Sequence, residues 1–186
     1  MLAIDQSFLE LIIHPDGRPP KDPATGKPIE RLPDRIDELT EAWQEDSEVV
    51  IIPTPALSQF LILAHHQASD YLGRITASSF FRIEDFDTRA AIELAAIHIG
   101  AMQSGKKRKR GDSNATWAKV NFDRQIVAIA KVNNAAVIYT DDGDMIKFAK
   151  RAGIDTVSSW ELPAPRAKQT DLFDEEEPRA SAATED

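Results

Sequence analysis

The chain contains no cysteine. That excludes disulfides, thiolate metal sites and a catalytic thiol, and permits a reducing compartment. Its four histidines, His14, His65, His66 and His98, lack the spacing of a zinc site. No apolar run approaches the ~20 residues needed to cross a bilayer. The opening stretch MLAIDQSFLELIIHPD is interrupted by Asp5 and Glu10 and has no basic segment ahead of it, so it does not read as a secretory signal. The expected location is the cytoplasm. Positive charge is also short: the formal net charge is −9. A uniformly acidic surface repels phosphate at long range, so any polyanion must meet a local basic patch or a bound cation. No internal repeat is visible.

What is there, in 186 residues that are 42% hydrophobic and 28% charged, is the composition of a soluble globular protein with material for one domain and tails. Short β-rich apolar runs at 2–4, 49–52, 80–83, 135–139 and 155–158 alternate with segments of helical period at 34–46, 55–67, 87–103, 121–133 and 144–152. This alternation predicts an α/β fold, with crossover helices flanking a mostly parallel sheet. Ile36, Leu39 and Trp43 share one helical face, and Pro55 suits a first helical turn. Residues 14–33 are too rich in proline and glycine for an ordinary connection and are expected to form a loop. A basic loop is expected at 104–116, SGKKRKRGDSNAT. The chain thus divides into an expected folded domain at 1–163 and a polar, proline-rich acidic tail at 164–186, expected to be disordered.

The stretch YTDDGDM at 139–145 sets Asp141, Asp142 and Asp144 directly behind the apolar run AAVIY. In an open parallel sheet, ligands collect beyond the carboxyl ends of the strands, where the direction of strand addition reverses. Asp5 follows the first expected strand and the 141–144 group follows the fourth, so they meet at one sheet edge if those strands are neighbours. Asp123 opens the expected helix FDRQIVAIAKVNN, whose Ile126, Ile129 and Ala130 would pack on the sheet and aim the helix start at the same edge. Two carboxylates about 4 Å apart repel by ~4 kcal/mol at an effective dielectric near 20, so such a cluster stays apart in water, takes up protons or binds cations. Hard oxygen ligands suit Mg²⁺ or Mn²⁺, whose bound water can serve as nucleophile in phosphodiester cleavage. The other reading of DDGD is a solvated turn in which an aspartate caps the next helix.

Taken together, these parts resemble the PIN-domain nucleases, the fold of many bacterial toxin ribonucleases of the VapC type. The resemblance covers about residues 1–163 and is strongest over FDRQIVAIAKVNNAAVIYTDDGDMIKFAKRAGIDTVSSWELP, which begins at Phe122. It implies a three-layer sandwich around a central, mostly parallel five-stranded sheet. It lays the acid ending the first strand onto Asp5, with DQSFL where an Asp-x-Asn or Asp-x-Ser start is usual, and the acid opening the fifth helix onto Asp123. Its Thr-x-Asp-x-Asp turn falls on Thr140, Asp142 and Asp144, with Asp141 at the variable position. One position departs from the pattern. The helix after the second strand usually reads like IPTPxLAEFL, whereas IPTPALSQFL puts Gln59 where a glutamate is usual. An amide oxygen can ligate a metal or hydrogen-bond its water but brings no charge, so weaker metal affinity is expected. Glu10 and Glu93 are the nearest acids in sequence that could stand in.

The resemblance implies Mg²⁺- or Mn²⁺-dependent endonucleolytic hydrolysis, of RNA in preference to DNA, in a toxin-antitoxin or RNA-processing role. Asp5, Asp123, Asp142 and Asp144 would form the catalytic and metal-binding set, supported by Thr140, Ser7 and Gln59. An antitoxin-like protein and a second copy of the chain are the protein partners it implies. A non-enzymatic reading stands beside it: a PIN-like module that holds nucleic acid without tight metal coordination and is recruited to a partner by its tail.

Lys106, Lys107, Arg108, Lys109 and Arg110 form a dense positive cluster in an acidic chain and read as a phosphate clamp whose binding would depend steeply on salt. A solvated loop is the alternative. Trp117 beside it suits packing or base stacking. His65 and His66 are adjacent on an expected helix and so point apart, which reads as structural or surface rather than as a metal pair. In the tail, Gln169, Asp171, Leu172 and Phe173 of QTDLF resemble the peptide with which bacterial proteins dock on the DNA-polymerase sliding clamp. A contact folded back on the parent domain and an antitoxin-like partner are the other readings of that peptide.

Overall fold

A computed structural model describes residues 1–14, 17, 19–103 and 117–165, of which 100–103 and 117–120 by their backbone alone. Strands β1 (Leu2–Ile4), β2 (Val50–Pro53), β3 (Phe81–Glu84), β4 (Val137–Tyr139) and β5 (Asp155–Val157) form one sheet in the order β3-β2-β1-β4-β5. Each pairing is parallel, and Ala3 stands opposite Ile51 on one side and Ile138 on the other. The helices are α1 (Gln6–Ile13), α2 (Leu32–Glu45), α3 (Thr54–Ala64), α4 (Ala68–Ala77), α5 (Thr88–Gln103), α6 (Trp117–Val132) and α7 (Gly143–Ala152).

A parallel sheet is covered on both faces, and the side-chain period of two divides each strand between two cores. Ala3, Ile51 and Ile138 point to one face, against Ile126 and Ile129 of α6 and Met145 and Phe148 of α7. Leu2, Ile4, Val50 and Ile52 point to the other, where Phe8 of α1, Trp43 of α2 and Ile75 of α4 pack. Helix α3 runs along the seam, giving Ala56 to the first core and Leu57 and Phe60 to the second. The three layers are held by residues removed entirely from water, among them Ile51, Ile52, Ile126, Ile129 and Ile138. Burying each such side chain contributes about 1.5–3 kcal/mol.

The strands fall within two residues of the expected runs, and the helices differ more. Helices α1 and α4 lie outside the expected segments. In α1 the apolar residues of QSFLELII are so dense over eight positions that the helical period is hidden, yet Asp5 caps it and Phe8 and Leu9 are its buried face. In α4, Tyr71 and Ile75 form the buried stripe across Gly73, a weak helix former. The expected helix at 55–67 stops at Ala64, because His65 turns to φ 47° and one tight turn leads into α4. Helix α6 begins at Trp117, since WAKVNF contains no breaker, so Asp123 sits in its second turn and not at its start. The loop expected at 14–33 gives way to α2 at Leu32, with Pro33 in its first turn. Among the described residues no helix is long and apolar enough to cross a membrane. The basic segment 104–116, and the tail from residue 166 onward, lie outside the described residues.

Candidate functional site

Strand β1 is the middle of the sheet, and the chain adds β2 and β3 on one side of it and β4 and β5 on the other. The crevice between the carboxyl ends of β1 and β4 is therefore the switch point at which open α/β sheets bind ligands. The backbone ties these strand exits together. Asp5 N–H donates to the Tyr139 carbonyl at 3.2 Å and Thr140 N–H to the Val157 carbonyl at 3.0 Å. Asp5, Ser7, Gln59, Asp123, Asp141 and Asp142 line one cleft of about 340 Å³ there, and Gln6 and Met145 complete its wall.

Asp5 is 4% exposed. As the N-cap of α1 it accepts the Phe8 N–H on Oδ1 at 2.9 Å, and Ser7 Oγ donates to the same oxygen at 2.7 Å. Thr140, wholly buried, donates its hydroxyl to Oδ2 at 2.6 Å. Burial pushes the Asp5 carboxyl above its ordinary value; the three hydrogen bonds oppose that, and the charge of Asp141 adds to it. A desolvated carboxylate held by neutral donors and facing a second carboxylate favours a proton or a cation as its next partner.

The same threonine organises the following turn, because its Oγ1 accepts the Asp142 N–H at 3.0 Å. Asp142 in turn caps α7, its Oδ1 accepting the N–H groups of Asp144 (2.8 Å) and Met145 (3.1 Å). Asp141 is held by Ser159, whose N–H donates to Oδ1 at 2.7 Å and whose Oγ donates to Oδ2 at 2.6 Å. Ser158 Oγ donates to the Thr140 carbonyl at 2.8 Å, which fastens the turn after β4 to the turn after β5. Asp123 reaches the cleft from α6 and is buried.

Of the residues expected from the sequence, the cleft brings together Asp5, Ser7, Gln59, Asp123 and Asp142, with Thr140 behind Asp5. Asp144 stands outside it, exposed and paired with Lys147 at 3.0 Å. Glu10, which accepts from Gln6, and Glu93, which pairs with Lys131, lie away from the cleft, so neither takes the place of Gln59. His65 and His66 are exposed in the turn between α3 and α4, and His14 stands edge-on to Tyr71. Lys106, Lys107, Arg108, Lys109 and Arg110, and Gln169, Asp171, Leu172 and Phe173, lie outside the described residues. Sequence reasoning treated Asp141 as a spacer, and its one local signal was the serine pair 158–159 behind β5.

The donor chemistry of the cleft suits a divalent cation: four carboxylates, the amides of Gln6 and Gln59 and the Ser7 hydroxyl all offer hard oxygen atoms on one wall system. Their present orientations do not assemble it. Among the described residues no group of three or more histidine or acidic side chains is arranged to hold a metal ion. Asp5 is turned to Thr140 and Ser7, Asp141 to Ser159 and Asp142 to the start of α7, so the protein itself engages each of these carboxylates.

No family model and no curated protein matches this sequence. Solved structures match its fold. VapBC2 from Rickettsia felis, bound to a DNA fragment from the VapBC2 promoter, aligns with a TM-score of 0.55 at 14% identity, over 84% of this chain and 97% of that one. DNA-bound VapBC from Salmonella typhimurium aligns with a TM-score of 0.51 at 17% identity, over 86% and 99%. Identities this low speak for the fold alone. The strand order, the three layers and the near-complete coverage of those chains agree with the resemblance carried by Asp5, Asp123 and the 140–144 turn, and the chain has the PIN-domain fold.

Proposed function

We propose that the chain is a metal-dependent endonuclease that hydrolyses phosphodiester bonds at the carboxylate cleft, in RNA in preference to DNA. The observation that carries this reading is Asp5, a buried carboxylate fixed by three neutral donors at the switch point of the sheet, with Asp123 and Asp142 on the same cleft. Asp5, Asp123 and Asp142 would hold Mg²⁺ or Mn²⁺, whereas Asp144, outside the cleft, would take no part. Such a cation supplies a bound water of lowered pKa and positive charge opposite the phosphate. The chain's own residues orient and attract. Thr140 and Ser7 favour the ionised form of Asp5 against its burial and aim it, and Gln59 offers a neutral amide to a phosphate oxygen or a water. The basic cluster at 106–110 would draw in the polyanion that the rest of the surface repels.

The test is a panel of RNAs incubated with Mg²⁺ or Mn²⁺ and with EDTA. Cutting is expected with metal and not with chelator, and Asp142→Asn is expected to abolish it while the fold stays intact. A second reading, a nucleic-acid-binding module of weak metal affinity, is favoured by Gln59 in the cleft and by the lack, among the described residues, of an assembled three-acid group. No cleavage, with RNA retained equally with and without metal, would decide for that module.

The VapBC assemblies that share the fold support an antitoxin-like protein as a partner of this chain. The tail peptide around Leu172 and Phe173 is the proposed docking element for the sliding clamp, on a protein acting in the cytoplasm. Clamp binding is expected to be lost when both residues become alanine, and unchanged binding by a tail-deleted chain would remove the idea.

A further inference from the structure

A second cleft, of about 280 Å³, lies between α1 and α3 toward their C-terminal ends. Phe60, 2% exposed, gives it an apolar floor. Leu63 lines it while 60% exposed, and Ile62 beside it on the same helix is 68% exposed. The rim carries three of the chain's four histidines, His14, His65 and His66. Each imidazole brings at least one N–H donor. The single carboxylate of the lining, Glu10, already accepts from Gln6 at 2.9 Å. Apolar below and rich in donors at its edge, this cleft is the chemical reverse of the one lined by Asp5, Asp123, Asp141 and Asp142.

The chain's own tail has the matching chemistry. Leu172 and Phe173 are followed directly by Asp174, Glu175, Glu176 and Glu177, two large apolar side chains and then a run of acceptors. The same acids are repelled by the carboxylate cleft. Reach agrees with chemistry. The described residues end at Pro165, and Leu162 just before it packs in the core that contains Phe60, on the same side of the sheet. Arg35 of α2 fastens it there by donating to the Leu162 carbonyl at 2.6 Å. The seven residues from 166 to 172 span at most about 25 Å, against a radius of gyration of about 15 Å for a domain of this size.

We propose that Leu172 and Phe173 seat in the cleft between α1 and α3 of their own chain, with the acids that follow them against the histidine rim. Side chains seated there are withheld from any other groove, so docking of this peptide on a clamp requires its release. The proposal is independent of the chemistry assigned to the carboxylate cleft.

Because the chain has no cysteine, an introduced pair reports on one contact alone. His66→Cys/Asp174→Cys leaves Leu63, Leu172 and Phe173 in place. Ile92→Cys/Asp174→Cys is the reference, its first position 66% exposed on α5, which packs on the other side of the sheet. Disulfide closure in the dilute full chain, followed on non-reducing gels, is expected to be at least about tenfold faster for the first pair, since seating raises the local concentration of one thiol at the other. Adding Leu172→Ala/Phe173→Ala to that pair should bring it down to the reference rate. Equal rates for the two pairs, or a rate that the alanines leave unchanged, would overturn the proposal. Disulfides formed mainly between two chains would give the cleft to a second copy's tail and overturn docking within one chain. Nuclear magnetic resonance needs no cysteine: Leu172→Ala/Phe173→Ala in the full chain is expected to move the Leu63 methyl and His66 ring signals, and signals that stay in place would sink the idea.

Discussion

Thr140→Val probes the support of the buried carboxylate. Valine keeps the shape of threonine and removes the hydroxyl that donates to Asp5 Oδ2 at 2.6 Å and accepts the Asp142 N–H at 3.0 Å. Both Thr140 and Asp5 are buried, so water does not replace the lost donor. A hydrogen bond to a charged group contributes about 1.5–3 kcal/mol and the orphaned N–H adds ~1, which together make ~3 kcal/mol. For a domain of this size that lowers the melting temperature by about 6–12 °C.

The deficit should also depend on pH. The hydroxyl stabilises ionised Asp5, and without it a carboxyl already raised by burial moves higher still. A folded-state value above the ordinary 3.8 means that the folded form takes up the proton more readily than the unfolded one. Stability from such a group is complete below the unfolded value and is lost as pH rises through the folded one. The deficit of Thr140→Val is therefore smallest near pH 4 and reaches its full size above the raised Asp5 value. Urea denaturation of both proteins between pH 4 and pH 8 without metal measures it. A deficit that does not grow with pH would refute the account of Asp5 as a carboxylate whose ionised form Thr140 holds.

Asp142→Ala should cost ~1 kcal/mol by uncapping α7, whereas Asp142→Asn should cost almost nothing because its amide oxygen accepts the same two N–H groups; thermal melts of the two variants decide this. Mn²⁺ affinity should fall as pH drops through the raised Asp5 value, since metal and proton compete for one carboxylate, and calorimetric titration giving a flat affinity from pH 8 down to the ordinary value of 3.8 would contradict it. Replacing the five basic residues at 106–110 by serine should flatten the salt dependence of single-stranded RNA binding by ~0.7 in log–log slope per lost phosphate contact, and an unchanged slope in fluorescence anisotropy would remove the clamp.

The class of fold was legible in the sequence because the strands are short β-rich runs and the longer helices repeat their apolar positions every turn, both properties of neighbouring residues. Asp5, Asp142 and Asp144 could be placed behind strands for the same reason. Helices α1 and α4 escaped that reading, the first because every turn of it is apolar, the second because only Tyr71 and Ile75 are buried and a glycine lies between them. Asp123 was assigned to a helix start, whereas WAKVNF ahead of it already belongs to α6.

By itself, then, the sequence determined the order of the elements, the acids that trail them and the sign of the charge they carry, since these depend on residues a few positions apart. Tertiary structure alone decided which acids share a cleft. Pairing of β1 with β4 sets Thr140 against Asp5 across 135 positions, and pairing of β4 with β5 brings Ser159 to Asp141 across 18. These choices follow from burying both faces of a parallel sheet, a condition on the whole chain that no local stretch expresses.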